Sequence, residues 1–219
     1  MTDPAADARR LFSERPDTYA RFIRAVRYPQ GLHAFWLASP LLRPGLRVLE
    51  AGCGTGALTL ALWDAAEQCH SGLAQLDAFD LTPAMLERLQ RTMERRGITR
   101  IALAEANVLH LDALPASWCE YDLVVSASML EYVPRERLPD ALAGLRARLR
   151  EGGRLVLFMT RRNLLTRVLI GRWWRSNLYT APELATAFRQ AGFSRTTFRR
   201  FPLAACHLAV WGHVVEAER

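Results

Sequence analysis

Apolar residues along this chain recur in two ways, as short continuous runs and as longer stretches with a spacing of three to four residues. Short runs are typical of buried strands, and the longer stretches are typical of helices that pack by one face. The runs predict strands over residues 46–50, 75–80, 100–104, 121–126 and 154–159. Helices are predicted between them, most clearly over residues 57–66, 83–96 and 138–149.

The end of the chain departs from this alternation. Residues 180–183 form a capping box that contains a proline, which predicts a helix that Gly192 ends. Two consecutive strands are then expected, over residues 193–200 and 207–215, joined by a turn at Pro202. The whole pattern predicts an α/β fold, with a mostly parallel sheet covered by helices on both faces.

The first 45 residues precede the first predicted strand and carry three aromatic-rich helical patterns. The second pattern is expected to end at Pro29, because proline interrupts a helix interior. We interpret residues 1–45 as a helical cap over a pocket in the domain formed by residues 46–219. Tyr19 and Tyr28 are candidate pocket residues.

Three alternating glycines, Gly52, Gly54 and Gly56, follow the first predicted strand and precede a predicted helix. Glycine tolerates positive φ and close approach of a ligand, and free amides at a helix N-terminus attract anionic or polar groups. The segment fits the dinucleotide-binding sequence G-x-G-x-x-G/A. Glu50 argues against a pyrophosphate here, because two negative charges would repel, but it suits a ligand with an ammonium group.

Asp80 ends the second predicted strand, where a carboxylate can accept hydrogen bonds from both ribose hydroxyls of a nucleotide. It lies further from the glycines than the spacing of about 20 residues that is usual in dinucleotide-binding proteins. This longer spacing also argues against NAD. Thr82 and Pro83 then predict the N-cap and the first turn of the next helix.

Composition narrows the class of protein. A chain of 219 residues can form one α/β domain with a full core, and no apolar run is long enough for a membrane span. The N-terminus lacks the apolar core of a signal peptide, so a cytoplasmic protein is expected.

Scattered cysteines and the lack of a carboxylate set with Mg²⁺ spacing predict no metal site. The net charge of +7 suits acidic substrates, nucleic acid or anionic lipid, or is merely solvated surface.

Four segments, in order along the chain, resemble the motifs of class I S-adenosylmethionine-dependent methyltransferases, in particular those that act on small molecules. They are EAGCGTG at 50–56, FDLTPAML at 79–86, EANVLHLDALP at 105–115 and YDLVVSASMLEYVP at 121–134. The resemblance covers about residues 46–215 and implies a doubly wound, seven-stranded sheet with an antiparallel last strand. The chain departs from the family at Asn107, where an aspartate is usual.

The resemblance also implies how S-adenosylmethionine would be held. The residues implied are Glu50, Gly52, Gly54, Gly56 and Ser126 for the methionine part and the sulfonium, Asp80 for the ribose, and Leu81, Met85, Asn107 and Val108 for the adenine.

Methyl transfer is a displacement at a sulfonium carbon, so the protein mainly orients the acceptor and takes up a proton where one leaves. Glu131 and Tyr132 follow the fourth strand, at the edge where such sheets bind ligands. We expect one of them to face the acceptor, as a base or as the partner of a cationic group. An ordinary loop position for Glu131 is the alternative.

Residues 161–180 form a longer connection than is usual between a strand and a helix. They combine aliphatic residues and arginines with a tryptophan pair, and we interpret them as an insertion that shapes an apolar acceptor site. Trp173 and Trp174 would cover apolar surface, and Arg161 would pair with an acid group. Contact with a lipid surface, or packing of the tryptophans in the core, are the alternatives.

The sequence therefore predicts transfer of a methyl group to oxygen, nitrogen or carbon of a small, partly apolar molecule. An RNA or protein methyltransferase is one alternative, and a non-catalytic cofactor-binding subunit is another. Nucleic acid is disfavoured, because residues 126–129 after the fourth strand lack an N-P-P-Y-type sequence.

Overall fold

A mixed sheet forms the centre of the protein in the computed structural model, which describes residues 21, 23–167 and 176–219. Its strands are β1 Arg47–Ala51, β2 Gln75–Asp80, β3 Ile101–Glu105, β4 Tyr121–Ala127, β5 Leu149–Thr160, β6 Arg195–Arg199 and β7 Gly212–Glu218. The seven strands lie in the order β3-β2-β1-β4-β5-β7-β6. β1 to β5 pair in parallel, and β7 is antiparallel to both β5 and β6. The predicted doubly wound sheet is confirmed.

Helices cover both faces of this sheet. They are α1 Tyr28–Leu37, α2 Ala57–Gln68, α3 Pro83–Arg95, α4 Leu138–Arg148 and α5 Ala181–Gln190, with a single turn at Leu164–Thr166 and 3₁₀ segments at Leu111–Ala113, Leu130–Tyr132, Arg135–Arg137 and Leu203–Val210. One apolar core joins α1, α2 and α3 to the sheet, and a second joins α4 and α5 to the opposite face. Among the described residues, no helix has the length and apolar character needed to cross a membrane.

Helix α1 is part of the core of the sheet domain. It begins at Tyr28 and carries Pro29 in its first turn. Residues 23–25 are helical and residues 26–27 form a turn, so the helix before Pro29 ends as predicted. Pro29 begins the next helix, where its missing N–H costs nothing because no intrahelical partner exists. Trp36 is fully buried, and Phe35 meets Phe158 of β5 edge to face at 5.0 Å between ring centroids.

Strand β5 begins five residues earlier than predicted. Leu149, expected at the end of a helix, pairs with Tyr121 at the start of β4. A Cβ on Gly153 would lie 2.8 Å from the Arg150 carbonyl oxygen and 2.9 Å from that of Tyr121. Gly153 therefore lets the two strands approach closely.

The last strand is shorter than predicted, because residues 203–210 are helical. Ala205 and Leu208 are buried at a spacing of three residues, which fits a 3₁₀ turn. A Cβ on Gly31 would overlap the Leu208 side chain, so this segment packs closely against α1. The apolar run that predicted a strand instead fills the space between α1 and β7.

The capping box at the start of α5 gives a stability prediction. Glu183 Oε2 accepts hydrogen bonds from the Thr180 amide and hydroxyl, both at 2.7 Å, and Thr180 Oγ1 accepts from the Glu183 amide. Thr180→Ala should lower the free energy of unfolding by about 1 kcal/mol in urea titrations. Thr186→Ala, at an exposed position of the same helix, is the control and should change it by less than about 0.5 kcal/mol. Equal losses in both variants would contradict the capping role.

Candidate active site

A cavity of about 440 Å³ opens at the carboxyl ends of β1, β2 and β4, and we call it the large cavity. The strand order reverses between β1 and β4, and such a point in a doubly wound sheet leaves a crevice for a ligand. Its walls include Glu50, Gly52, Gly54, Asp80, Leu81, Met85, Asn107, Val108 and Tyr132. Most of the residues implied for the cofactor therefore meet in one place.

The glycine loop between β1 and α2 has the backbone that its sequence predicts. Gly52, Gly54 and Gly56 have φ values of 72°, 52° and 93°. A Cβ would lie 2.2 Å from the Met129 side chain at Gly52 and 2.4 Å from that of Leu89 at Gly56, but at Gly54 it would meet no atom within 4 Å. Gly52 and Gly56 are thus required by packing, whereas Gly54 leaves its backbone open toward the large cavity.

Asp80 ties the glycine loop to the end of β2. Its Oδ2 accepts a hydrogen bond from the Gly54 amide at 2.8 Å, and its Oδ1 accepts one from the Thr82 amide at 2.9 Å. The Thr82 side chain makes no capping bond, so Asp80 satisfies the amide at the start of α3. Burial raises the pKa of Asp80, and the two amides oppose that rise.

Glu50 lies at the floor of the large cavity and is almost fully buried. Burial raises the pKa of Glu50 to about 8, Thr59 opposes this rise, and the nearby charge of Asp80 adds to it. Its Oε2 has no hydrogen-bond partner among the described residues. A cationic group in the cavity would favour the ionised carboxylate of Glu50, so the site fits the ammonium group of S-adenosylmethionine.

The adenine end of the predicted site is also present. Leu81 and Met85 line one part of the large cavity, and Asn107 and Val108 line another. Asn107 Oδ1 accepts a hydrogen bond from the Leu109 amide at 3.0 Å. An amide oxygen has two lone pairs, so it keeps one for a second donor such as an adenine amino group.

The structure places Ser126 outside the large cavity. Its side chain is fully buried, and its Oγ donates to the Ala51 carbonyl at 2.8 Å, which joins β4 to β1. Ala127 and Ser128 line the cavity where Ser126 was expected. Successive side chains of a strand point to opposite faces, so the position near a strand end did not determine which residue faces the ligand.

Glu131 and Tyr132 occupy different environments. Tyr132 lines the large cavity and also a neighbouring cavity of about 50 Å³, which we call the small cavity. Of these two cavities, Glu131 lines only the small one. Glu131 Oε2 accepts a hydrogen bond from the Thr160 amide at 2.9 Å. Burial raises the pKa of Glu131 to about 7, against the opposing effect of Thr160.

The predicted acceptor residues are only partly within the described structure. Tyr28 lines both cavities, and its hydroxyl lies 3.3 Å from Ser128 Oγ. Arg161 is exposed, lines neither cavity and donates to the Ala209 carbonyl at 3.4 Å. Tyr19, Trp173 and Trp174 lie outside the described residues.

Arg137 and His213 are examples of cavity residues that were not predicted from the sequence. Arg137 lines the large cavity and donates to Asp140 Oδ2 at 2.6 Å, and His213 lines the small cavity. Neither belongs to a recognisable motif. His213 reaches the site only because β7 is antiparallel, which no local pattern predicts.

Taken together, the glycine loop, the acidic end of β2 and the crevice at the strand reversal define a nucleotide-binding α/β protein. Residues 48–153 match a family model described as a methyltransferase domain. A malonyl-[acyl-carrier protein] O-methyltransferase of Anoxybacillus flavithermus is 31% identical over 151 residues, which are 68% of this chain and 50% of that protein. A highly reducing polyketide synthase of Emericella nidulans is 28% identical over 198 residues, which are 80% of this chain and 7% of the synthase. The chain thus spans half or less of the length of these relatives.

A solved structure gives the same fold. The magnesium protoporphyrin IX methyltransferase of Synechocystis PCC 6803, with bound S-adenosylmethionine, superposes with a TM-score of 0.67 at 20% identity, covering 100% of this chain and 98% of that one. At this identity the likeness shows the fold alone. Residues 48–153 are a class I S-adenosylmethionine-dependent methyltransferase domain, and the resemblance seen in the four sequence motifs is confirmed.

The open backbone at Gly54 gives the second prediction. Gly54→Val should abolish binding of S-adenosylmethionine in isothermal titration calorimetry, because the branched side chain would project into the large cavity. Gly45→Val is a matched control: Gly45 also has positive φ, 75°, and a Cβ added there would also meet no atom within 4 Å, but it lies outside the cavity. In both variants, backbone strain should lower the free energy of unfolding by a similar amount, roughly 1–3 kcal/mol. A folded Gly54→Val protein with normal affinity would refute the loop assignment.

Proposed function

We propose that the protein transfers the methyl group of S-adenosylmethionine to a small, partly apolar molecule. The observation that carries this proposal is the large cavity, in which an unsatisfied buried carboxylate, a strand-end aspartate and an open glycine backbone line one space. These groups match the ammonium, ribose and carboxylate parts of that cofactor. When bound, it supplies a methyl group already activated by a sulfonium.

The proposed cofactor contacts follow from where each residue lies around the large cavity. The glycine loop and Glu50 would hold the methionine part, and Asp80 would accept from the ribose hydroxyls. Leu81 and Met85 would pack on the adenine, with Asn107 at its edge. Apart from Gly56, which packs against Leu89, these residues line the large cavity. Their arrangement supports a site that fixes the cofactor from both ends, which orients the methyl group before the reaction.

A small acceptor is supported by the shape and chemistry of the site. The acceptor side would be formed by the two cavities, which share Ile23, Tyr28, Ser128 and Tyr132. Such concave walls favour a small molecule over a nucleic acid. The two named methyltransferases that resemble this chain are named for malonyl-[acyl-carrier protein] and for a magnesium porphyrin. We do not infer that this chain acts on either of these acceptors.

Residues 161–180 would complete the acceptor side or contact an apolar surface. Asn163 Nδ2 donates to the Val210 carbonyl at 2.7 Å and so joins this segment to the 203–210 turn. Leu164 and Leu203 are 81% and 91% exposed, and Arg161 and Arg162 shortly precede Leu164 in the chain. Exposed aliphatic residues near arginines support either a covering over the acceptor or contact with anionic lipid. Liposome flotation separates the two, since only lipid contact brings the protein to the vesicle fraction.

The direct test of the proposed function uses the whole protein, S-adenosylmethionine with a labelled methyl group, and pools of small metabolites. We expect label to enter a pool component, with an equal amount of S-adenosylhomocysteine formed. Transfer to ribosomal RNA or to a protein fraction instead, with none to small molecules, would contradict the proposal. Binding of the cofactor without transfer to any pool would favour a non-catalytic subunit.

The environment of Glu131 gives a prediction about pH. If its ionised carboxylate takes up the proton that leaves the acceptor, turnover should rise with pH through about 7 and then level, because burial raises its pKa to that value. Glu131→Gln should lower turnover about 10²- to 10⁴-fold and remove this dependence, while keeping an acceptor for the Thr160 amide.

Glu136→Gln, at an exposed position in the same region, is the control and should leave the pH profile unchanged. Cofactor affinity should be similar in all three proteins by calorimetry. If Glu131→Gln lowers cofactor affinity as much as turnover, Glu131 has a structural role and is not the base.

A further inference from the structure

Three segments of the chain meet on one part of the surface, and we call their exposed surface the basic face. The segments are residues 21 and 23–27, residues 161–167, and residues 199–211. His207 Nε2 lies 3.0 Å from the Val26 carbonyl oxygen, which joins the third segment to the first. Asn163 Nδ2 donates to the Val210 carbonyl at 2.7 Å, which joins the third segment to the second. Segments that are distant in the sequence therefore form one surface.

The basic face carries the excess positive charge of the protein. Its segments contain no acidic residue and eight arginines, which are Arg21, Arg24, Arg27, Arg161, Arg162, Arg167, Arg199 and Arg200. Since the net charge of the whole chain is +7, the other residues together are close to neutral. Arg162 pairs with Glu183, and Arg199 pairs with Glu216. The other six arginines are exposed, and no acidic partner is found for them among the described residues.

The basic face also exposes apolar side chains. In the helical segment 203–210 the exposed residues are Leu203, Ala204, Cys206, His207, Ala209 and Val210. Of these side chains only the imidazole of His207 is strongly polar, and it lies against the Val26 carbonyl. A surface helix normally presents polar side chains to water. This segment does not, and Leu164 of the neighbouring segment is exposed as well.

The combination of arginines and exposed aliphatic residues distinguishes between possible partners. A second copy of the chain, bound through the same surface, would place the arginines of one copy against those of the other. A nucleic acid would suit the arginines through its phosphates, but it offers the leucines no apolar phase. An anionic lipid bilayer offers both, since arginines reach the headgroup phosphates while aliphatic side chains enter the acyl boundary.

The basic face is continuous with the walls of the small cavity. Ile23 and Val26 of the first segment line this cavity, and so do Leu208 and Trp211 of the third. A surface that docks on the basic face therefore lies next to the candidate acceptor side.

We infer that the basic face docks on an anionic lipid bilayer. Leu164, Leu203 and Val210 then lie at the acyl boundary, and the exposed arginines lie at the headgroup phosphates. The methyl acceptor is in that case an apolar molecule held in the membrane. This last step rests on the proposed function, whereas the docking itself does not.

The test is flotation of the full chain with vesicles of phosphatidylcholine, and with vesicles that also contain phosphatidylglycerol as about one quarter of the lipid. We expect the protein to float with the anionic vesicles and not with the neutral ones. Leu203→Asp should weaken binding about tenfold or more, because a charge replaces an apolar group at the acyl boundary. Thr186→Asp, exposed on α5 at the opposite face of the sheet, is the control and should leave binding within about twofold.

A second pair of variants tests the charges of the basic face. Arg200→Glu should weaken binding to the anionic vesicles about tenfold or more, since each arginine at a membrane surface contributes roughly that factor. Arg189→Glu, exposed on α5, changes the net charge by the same amount and should weaken binding clearly less.

Lack of flotation by the wild-type protein with anionic vesicles would overturn the proposal, and this result needs no variant to fold. Equal losses within either pair of variants would also overturn it, because the attraction would then not belong to the basic face. Binding of a single-stranded RNA oligonucleotide in place of the vesicles would assign the face to nucleic acid, and a stable dimer that Leu203→Asp dissociates would assign it to a second copy. Flotation is measured without S-adenosylmethionine, so failure of the proposed function would leave this result unchanged.

Discussion

Hydrogen bonds from the glycine loop to the last two residues of β2 hold the candidate active site together. The Phe79 carbonyl accepts from the amides of Gly52 and Cys53 at 2.8 and 3.0 Å, and Asp80 accepts from Gly54 and Thr82. Together these bonds bring the loop, the end of β2 and the start of α3 to one point. Burying the Asp80 carboxylate is unfavourable, as its raised pKa shows, and the two amides offset part of that effect.

The topology of the sheet then decides which other groups reach the site. Parallel strands β1, β2, β4 and β5 all end at the same edge, and this edge carries Glu50, Asp80 and Glu131. Because β7 is antiparallel to β5, it begins where β5 ends, and Gly212 pairs with Thr160. An antiparallel strand therefore adds a side chain from its start, His213, to an edge otherwise built from strand ends. This geometry places the small cavity next to the large cavity.

Local signals were enough for the features that depend on a few neighbouring residues. The glycine loop, the strand ending at Asp80 and the capping box at Thr180 were all predictable, because backbone conformation and capping act within one turn. Features set by distant contacts were not. Residues 203–210 fill a gap beside α1, and Ser126 bonds to β1, each through contacts with residues far away in the sequence.

The most direct measurement is the affinity of S-adenosylmethionine for Asp80→Ala by isothermal titration calorimetry, beside Asp112→Ala at an exposed position. Asp80 both shapes the loop and faces the ribose in the proposed complex, so its loss removes charge-assisted hydrogen bonds. We expect the binding free energy to weaken by about 1–3 kcal/mol, which is roughly 5- to 150-fold in affinity, with no change for Asp112→Ala. An affinity unchanged in a folded Asp80→Ala protein would show that the cofactor does not bind at this carboxylate.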